Sequence, residues 1–142
     1  MEKGSFMTRY KTAQVLAGVS AVGFLLAAGL HTTEYRRVVL RAQQGFAGLA
    51  PFVATLWLTF AAALVILGLI VTLVAFGRVT PGRSILALAG CFPAVTVVLQ
   101  LRFLGFTPPV AIFSAVAAMN FAAALTFPTV RRLAPPQTSP AA

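Results

Sequence analysis

The sequence is poor in charged residues, and above all in acidic ones. Only 9% of its 142 residues are charged, and only two of them are Asp or Glu. Soluble domains typically carry about 25% charged residues, so this composition excludes a soluble globular fold. The solvent of most of this chain must therefore be something other than water.

Long apolar runs take the place of the missing charge. Hydrophobic residues make up 59% of the chain. A helix needs about 20 mostly apolar residues to cross the ~30 Å hydrocarbon core of a bilayer, and four stretches fall in or close to that range. The sequence predicts an all-α integral membrane protein with four transmembrane helices in an up-down-up-down antiparallel bundle. The predicted spans are residues 13–30, 52–76, 84–101 and 109–127.

Cysteine and histidine occur once each, as Cys91 and His31. A single thiol cannot form an internal disulfide, so it says nothing about the redox compartment. Cys91 lies within the third span and His31 lies at the end of the first. Because these depths differ, the two side chains cannot form a metal-ligand cluster. We expect no metal site, and the sequence assigns no cofactor.

The segments outside the spans are short. Residues 1–12 form a basic N-terminal segment, residues 13–132 form the four-helix domain, and residues 133–142 form a proline-rich tail that should be disordered. The first apolar run could also be a signal peptide. Its length and the three spans that follow it favour a membrane helix. Whether the chain starts at Met1 or at Met7 stays open.

The connector between the first and second spans has the pattern of a short amphipathic helix. Tyr35, Val38 and Val39 begin an apolar stripe of helical period, and Arg37 and Arg41 lie on the opposite face. Such a helix lies along the membrane surface, with its arginines near the lipid headgroups.

Turn and packing signals predict how the spans contact one another. Pro81 followed by Gly82 suits a type II turn, which should join the second and third spans in a tight antiparallel hairpin. Pro93 should kink the third span. Small residues at every fourth position predict one packing face of the fourth span. These residues are Ser114, Ala118 and Ala122.

The positive charge of the chain lies at the ends of the spans. Seven Lys and Arg residues fall on the side of the two termini, and four fall on the opposite side. Because Lys and Arg are enriched on the cytoplasmic side, we expect both termini in the cytoplasm, in the inner membrane of a bacterium. The arginines of the first connector oppose this orientation, since a basic surface helix suits an anionic cytoplasmic leaflet. The expected partners are the lipid bilayer and either other membrane subunits or further copies of the chain, with no nucleic acid.

The most polar part of the chain lies where the first span ends. His31 and Glu34 are three residues apart on one helix face, and they are the only histidine and the only acid beyond Glu2. The third span should end on the same side of the bundle, so its last residues could complete a polar pocket there. The candidate ligand or headgroup contacts are Tyr35, Arg37, Arg41, Gln100 and Arg102.

Two interpretations of this pocket stay open. His31 and Glu34 could act as an acid–base pair, or could hold a polar headgroup at the mouth of an apolar bundle. Alternatively, Glu34 forms an ion pair with Arg37 or Arg102. An exposed helical ion pair is worth only about 0.3–0.5 kcal/mol, so it requires no functional role.

Three residues within the spans are candidates for polar contacts inside the membrane. Asn120 must find a partner there, and a hydrogen bond between membrane helices is worth about 0.6–2 kcal/mol. The hydroxyl of Thr96 can bond its own helix backbone. Cys91 fits a packing role better than a nucleophilic one, because no base is expected at its depth.

Three classes of function fit this sequence. The first is a small multi-pass membrane protein that binds a lipid or another hydrophobic ligand, or that serves as an accessory subunit of a membrane assembly. The second is a membrane enzyme that acts on a quinone, an isoprenoid or a lipid headgroup, with His31 and Glu34 as its acid–base pair. The third is a transporter, because the chain resembles the small multidrug-resistance exporters in size and helix count. Those exporters carry a glutamate deep in the first helix, whereas Glu34 follows the end of the first span. We favour the first class.

Overall fold

The computed structural model describes residues 2–80 and 82–128, with side chains from residue 7 onward. This part of the chain is helical and has no strand. Four of its helices are long and apolar enough to cross a membrane, which confirms the predicted fold class. The predicted turn residue Pro81 and the predicted disordered tail of residues 133–142 lie outside the described residues. The helices are α1 (Glu2–Thr33), α2 (Tyr35–Gly45), α3 (Ala50–Ala75), α4 (Gly82–Phe103) and α5 (Pro108–Thr126), with a 3-10 turn at Ala47–Leu49.

The four long helices follow one another around the bundle in chain order. The helix α1 packs along both α3 and α5, and α4 packs along α5. Tyr10, early in α1, meets Phe127 just beyond α5, with ring centroids 5.5 Å apart. At the other end of α1, His31 meets Trp57, which lies near the start of α3. These contacts support the predicted up-down-up-down passage through a membrane, which itself stays a prediction.

The helices α3 and α4 contact each other much less than the other neighbouring helices do. Between α1 and α5, a glycine permits close approach, since a Cβ on Gly23 would lie only 2.6 Å from Val116 Cγ2. Between α3 and α4, the large rings of Phe60 and Phe92 meet instead, with centroids 5.4 Å apart. The connector between the end of α3 at Ala75 and the start of α4 at Gly82 is short, and the tight turn predicted there stays a prediction because Pro81 lies outside the described residues.

The fourth span buries a different face from the one predicted. Ser114 and Ala118 are exposed, and Ala122 is only half-buried. The face turned to the bundle carries larger apolar side chains together with one amide, because these fill the space beside α1 and α4 better than a row of small residues does. Its buried residues are Val110, Phe113, Val116, Ala117, Asn120, Ala123 and Ala124.

The connector after α1 contains the predicted helix, α2. Arg37 and Arg41 are exposed, whereas Val38 and Val39 are half-buried on the side that faces α3. The amphipathic pattern thus places the apolar stripe against the bundle. Its position at a membrane surface stays a prediction.

Candidate functional site

A cavity of about 820 Å³ lies at the end of the bundle where α1 and α4 end. All five helices contribute to it, because α1 ends there, α2 crosses it, α3 and α5 begin there and α4 ends there. A volume of this size is typical of pockets that hold a small organic ligand. The lining is mostly apolar, and its polar members are His31, Thr33, Glu34, Trp57, Thr96, Gln100 and Thr107.

Trp57 and His31 form one wall of this cavity. The last four carbonyl groups of a helix have no partner within that helix, and the carbonyl of His31 belongs to this set in α1. Trp57 Nε1 donates a hydrogen bond to this oxygen at 2.7 Å. The two rings also stack, with centroids 3.8 Å apart and planes 11° from parallel. The start of α3 is therefore fixed against the end of α1.

Two further aromatic rings close the inner end of the cavity. Phe60 lies one helical turn after Trp57 and packs on the His31 ring, with centroids 4.9 Å apart. It also meets Phe113 of α5 edge-on at 6.1 Å. Both phenylalanines line the cavity. The inner part of the site is therefore aromatic and apolar, and its polar atoms lie nearer to the helix ends.

Two polar atoms of the cavity wall are buried and have no hydrogen-bond partner within the described residues. They are His31 Nε2 and Gln100 Oε1. The first comes from the last turns of α1, and the second comes from the last turns of α4. Buried polar atoms in folded proteins are nearly always satisfied, and each one left unpaired costs about 1–3 kcal/mol. These two atoms are the strongest chemical signal in the site.

Glu34 lines the same cavity but is already paired. Its carboxylate accepts hydrogen bonds from Arg37 Nη1 at 2.9 and 3.2 Å, and both side chains are well exposed. Within the described part of the chain, the hydrogen bonds of this carboxylate go to Arg37, and His31 Nε2 has no partner. The geometry corresponds to the ion-pair interpretation of Glu34 rather than to the acid–base pair.

The other candidate contacts lie around the cavity or away from it. Thr96 lines the cavity, and its hydroxyl donates to the carbonyl of Phe92 at 2.9 Å. Arg41 and Arg102 are exposed and Tyr35 is half-buried. None of these three contributes to the cavity lining, nor does Arg37. The proposed pocket of the sequence analysis thus brings together His31, Glu34 and Gln100, and leaves the arginines outside.

The intramembrane candidates Asn120 and Cys91 belong to other parts of the bundle. Asn120 is fully buried, and its Nδ2 donates to Ser20 Oγ of α1 and to the carbonyl of Val116. This arrangement is an inter-helix link within the apolar core. Cys91 is exposed on the outside of the bundle. Neither residue lines the cavity.

Sequence reasoning missed the aromatic wall of the site. The sequence analysis assigns no role in the site to Trp57, Phe60 or Phe113. A signal was present, because Trp57 and Phe60 are three residues apart and so share one face of a helix. Nothing in the sequence paired that face with His31.

Comparison with known protein families, with characterised proteins and with solved structures gives no match. Within the residues that the structure describes, no group of three or more His, Cys, Asp and Glu side chains could hold a metal ion. The function must therefore be inferred from the cavity itself.

Proposed function

We propose that this protein binds a lipid-soluble ligand in the cavity, with the apolar body of the ligand among the aromatic rings and its polar end at His31 and Gln100. The four long apolar helices fit a small multi-pass membrane protein. The observation that carries the proposal is the pair of unpartnered buried atoms in a wall that is otherwise mainly apolar. An amphiphilic ligand would fill the volume, and a change of side-chain rotamer at His31 and Gln100 would turn the two buried atoms toward its polar end.

The sparse packing between α3 and α4 favours entry of the ligand from the bilayer between these two helices. Leu56 of α3 and Leu99 of α4 both line the cavity, and they are 54% and 52% exposed. In a membrane, the outer surface of a helical bundle faces lipid tails. A lipid-soluble molecule could therefore enter sideways between these two helices without crossing water.

The competing functions receive less support from the same residues. The enzyme hypothesis needs Glu34 beside His31, but the carboxylate is bonded to Arg37. The transporter hypothesis needs an ionisable residue on a path through the membrane, and the buried polar residues of the described spans are Ser20 and Asn120. The role of an accessory subunit is compatible with ligand binding and would be revealed by a partner protein.

The test is gentle extraction in lipid nanodiscs followed by mass spectrometry of everything that co-purifies. We expect a defined lipid-soluble compound in near-stoichiometric amount. A Thr96→Phe variant should lose it, because the added ring would occupy the cavity. The matched control is Val95→Phe, since Val95 is 58% exposed and does not line the cavity. Equal retention by both variants, or a stoichiometric partner protein with no small molecule, would contradict the proposal.

We also propose that both termini lie in the cytoplasm of a bacterial cell, from the excess of Lys and Arg on that side. Single cysteines introduced at Thr8 and at Arg78 in a Cys91→Ser background would test this orientation. Both positions are exposed at one end of the bundle. A membrane-impermeant maleimide should leave both unlabelled in intact spheroplasts and label both after lysis.

A further inference from the structure

We infer that the cavity selects lipids with an uncharged, hydroxyl-bearing head group and rejects the same lipids when they carry a phosphate. This inference rests on the proposed function and specifies the chemistry of the ligand. It follows from the charges of the lining and from the hydrogen-bonding capacity of the two unpartnered atoms, which are separate observations.

The charges of the lining exclude an anionic head group. No Lys or Arg belongs to the cavity lining in the part of the chain that the structure describes. Arg36 and Arg37 are the cations nearest to His31 and Glu34 in the sequence. The guanidinium of Arg37 is already bonded to Glu34. A phosphate placed between His31 and Gln100 would bring a negative charge into an apolar cavity without a counter-charge. Such a charge is strongly disfavoured unless it is paired.

The cavity lining also provides little electrostatic stabilisation for a cationic head group. Glu34 is the acid of the lining, and its charge is compensated by Arg37 at 2.9 Å. The electrostatic character of the cavity is therefore close to neutral. A neutral head group enters it without the desolvation cost that either ion would bear.

The hydrogen-bonding atoms specify a donor. Gln100 Oε1 is an amide oxygen and can only accept, so the ligand must provide an O–H or N–H group. His31 Nε2 is an imidazole nitrogen, which donates or accepts according to its tautomer. A hydroxyl both donates and accepts, so it can pair with either atom. An ether or a ketone oxygen would leave Gln100 unsatisfied.

The aromatic part of the wall suits an unsaturated or ring-bearing body. Phe60 and Phe113 form apolar faces at the inner end of the cavity, next to the stacked rings of His31 and Trp57. Aromatic rings offer large, flat contact areas. A planar or unsaturated chain packs against such areas more closely than water does. Lipid alcohols with isoprenoid chains and lipid-soluble phenols both meet these requirements.

A matched set of three probes tests the inference. Farnesol carries the hydroxyl, farnesyl methyl ether retains the oxygen but lacks the donor, and farnesyl phosphate carries the anion on the same chain. Trp57 is the only tryptophan of the protein and lines the cavity, so its emission reports binding directly. Each probe would be titrated into the full-length protein in nanodiscs. We expect farnesol to bind about 10-fold more tightly than the ether, which lacks a donor for Gln100, and than the phosphate, which brings an uncompensated charge.

Substitutions at two glutamines distinguish recognition of the hydroxyl from general affinity for apolar chains. Gln100→Leu should reduce the preference for farnesol over the methyl ether to about 2-fold or less, because the acceptor is removed. Gln44→Leu is the control, since Gln44 is exposed on α2 and does not line the cavity. It should leave the preference unchanged. Circular dichroism of each variant would verify that its helices have formed.

The outcomes distinguish this inference from the proposed function. Equal binding of the three probes, or tighter binding of the phosphate, would overturn the hydroxyl selectivity and leave ligand binding in the cavity standing. Loss of the preference in Gln44→Leu as well as in Gln100→Leu would also overturn it. If no probe changes the Trp57 emission and no lipid co-purifies, the proposed function fails and this inference fails with it.

Discussion

The indole nitrogen of Trp57 donates a 2.7 Å hydrogen bond to the carbonyl oxygen of His31, and the two rings lie 3.8 Å apart. One residue of α3 thus satisfies an open carbonyl at the end of α1 and holds the imidazole in a fixed plane. In this arrangement His31 Nε2 is buried and has no hydrogen-bond partner within the described residues. The link between the two helix ends therefore fixes the ring that carries the unpaired nitrogen.

Replacing Trp57 by Phe should lower the free energy of unfolding by about 1 kcal/mol. The variant keeps an aromatic ring against His31 but loses the donor, so the carbonyl is left without this partner. Thermal unfolding followed by circular dichroism in detergent micelles would measure the change. The control is Phe52→Leu, which alters an exposed ring in the first turn of the same helix. Equal effects of the two substitutions would contradict the assigned role of the hydrogen bond.

The buried link between α1 and α5 should be energetically coupled. Asn120 Nδ2 bonds both Ser20 Oγ and the carbonyl of Val116, so Ser20→Ala leaves the amide one partner, whereas Asn120→Ala removes both bonds. We expect Ser20→Ala to be the milder change. A double-mutant cycle measured by unfolding in detergent should give a coupling of about 0.6 kcal/mol, and at most about 1.7 kcal/mol. Strict additivity of the two substitutions would show that the link contributes nothing.

Two glycines of α1 should respond to alanine in opposite directions. A Cβ on Gly23 would lie 2.6 Å from Val116 Cγ2, and valine is stiff, so the α1–α5 contact would have to open. A Cβ on Gly18 would meet nothing within 4 Å. We expect Gly23→Ala to destabilise the protein by about 1–2 kcal/mol, and Gly18→Ala to stabilise it by up to about 1 kcal/mol through helix propensity. Thermal unfolding of both variants would check this, and a stabilised Gly23→Ala protein would contradict the packing.

The sequence was sufficient to predict the four membrane helices, because hydropathy and the absence of charge act over some 20 residues at a time. It was also sufficient to associate His31 with Gln100, since alternating spans return to the same side. The sequence did not predict which face of α5 is buried, because the predicted face, with Ser114 and Ala118, is exposed. Spacing shows which residues share a face, but the complementary surfaces of the neighbouring helices decide which face is buried.

The cavity itself could not be predicted for the same reason. Its walls come from all five helices, and its inner end depends on contacts such as that between Phe60 and Phe113, which are distant in the chain. Single-helix patterns contain no information about such a contact. The pairing of Glu34 with Arg37 was foreseeable, by contrast, because residues three apart on a helix are neighbours regardless of the rest of the fold.

Arg37 should control the affinity of the cavity mouth for cationic ligands. Its guanidinium compensates the carboxylate of Glu34, which lines the cavity. Arg37→Gln would leave that carboxylate unpaired at the mouth, and two opposite charges about 4 Å apart in water attract by about 1 kcal/mol. Binding of farnesylamine, measured through Trp57 emission, should therefore become about 5-fold tighter in low salt, and the gain should shrink as the ionic strength rises.

The control for this prediction is Arg41→Gln, which removes an exposed arginine one helical turn further along α2. That variant leaves the Glu34–Arg37 pair intact, so its affinity for farnesylamine should change less than 2-fold. Farnesol, which is neutral, should bind Arg37→Gln and the unmodified protein alike, because its recognition depends on Gln100 and His31 rather than on net charge. An equal gain for farnesylamine in both arginine variants would mean that overall surface charge, and not the carboxylate of Glu34, attracts the cation.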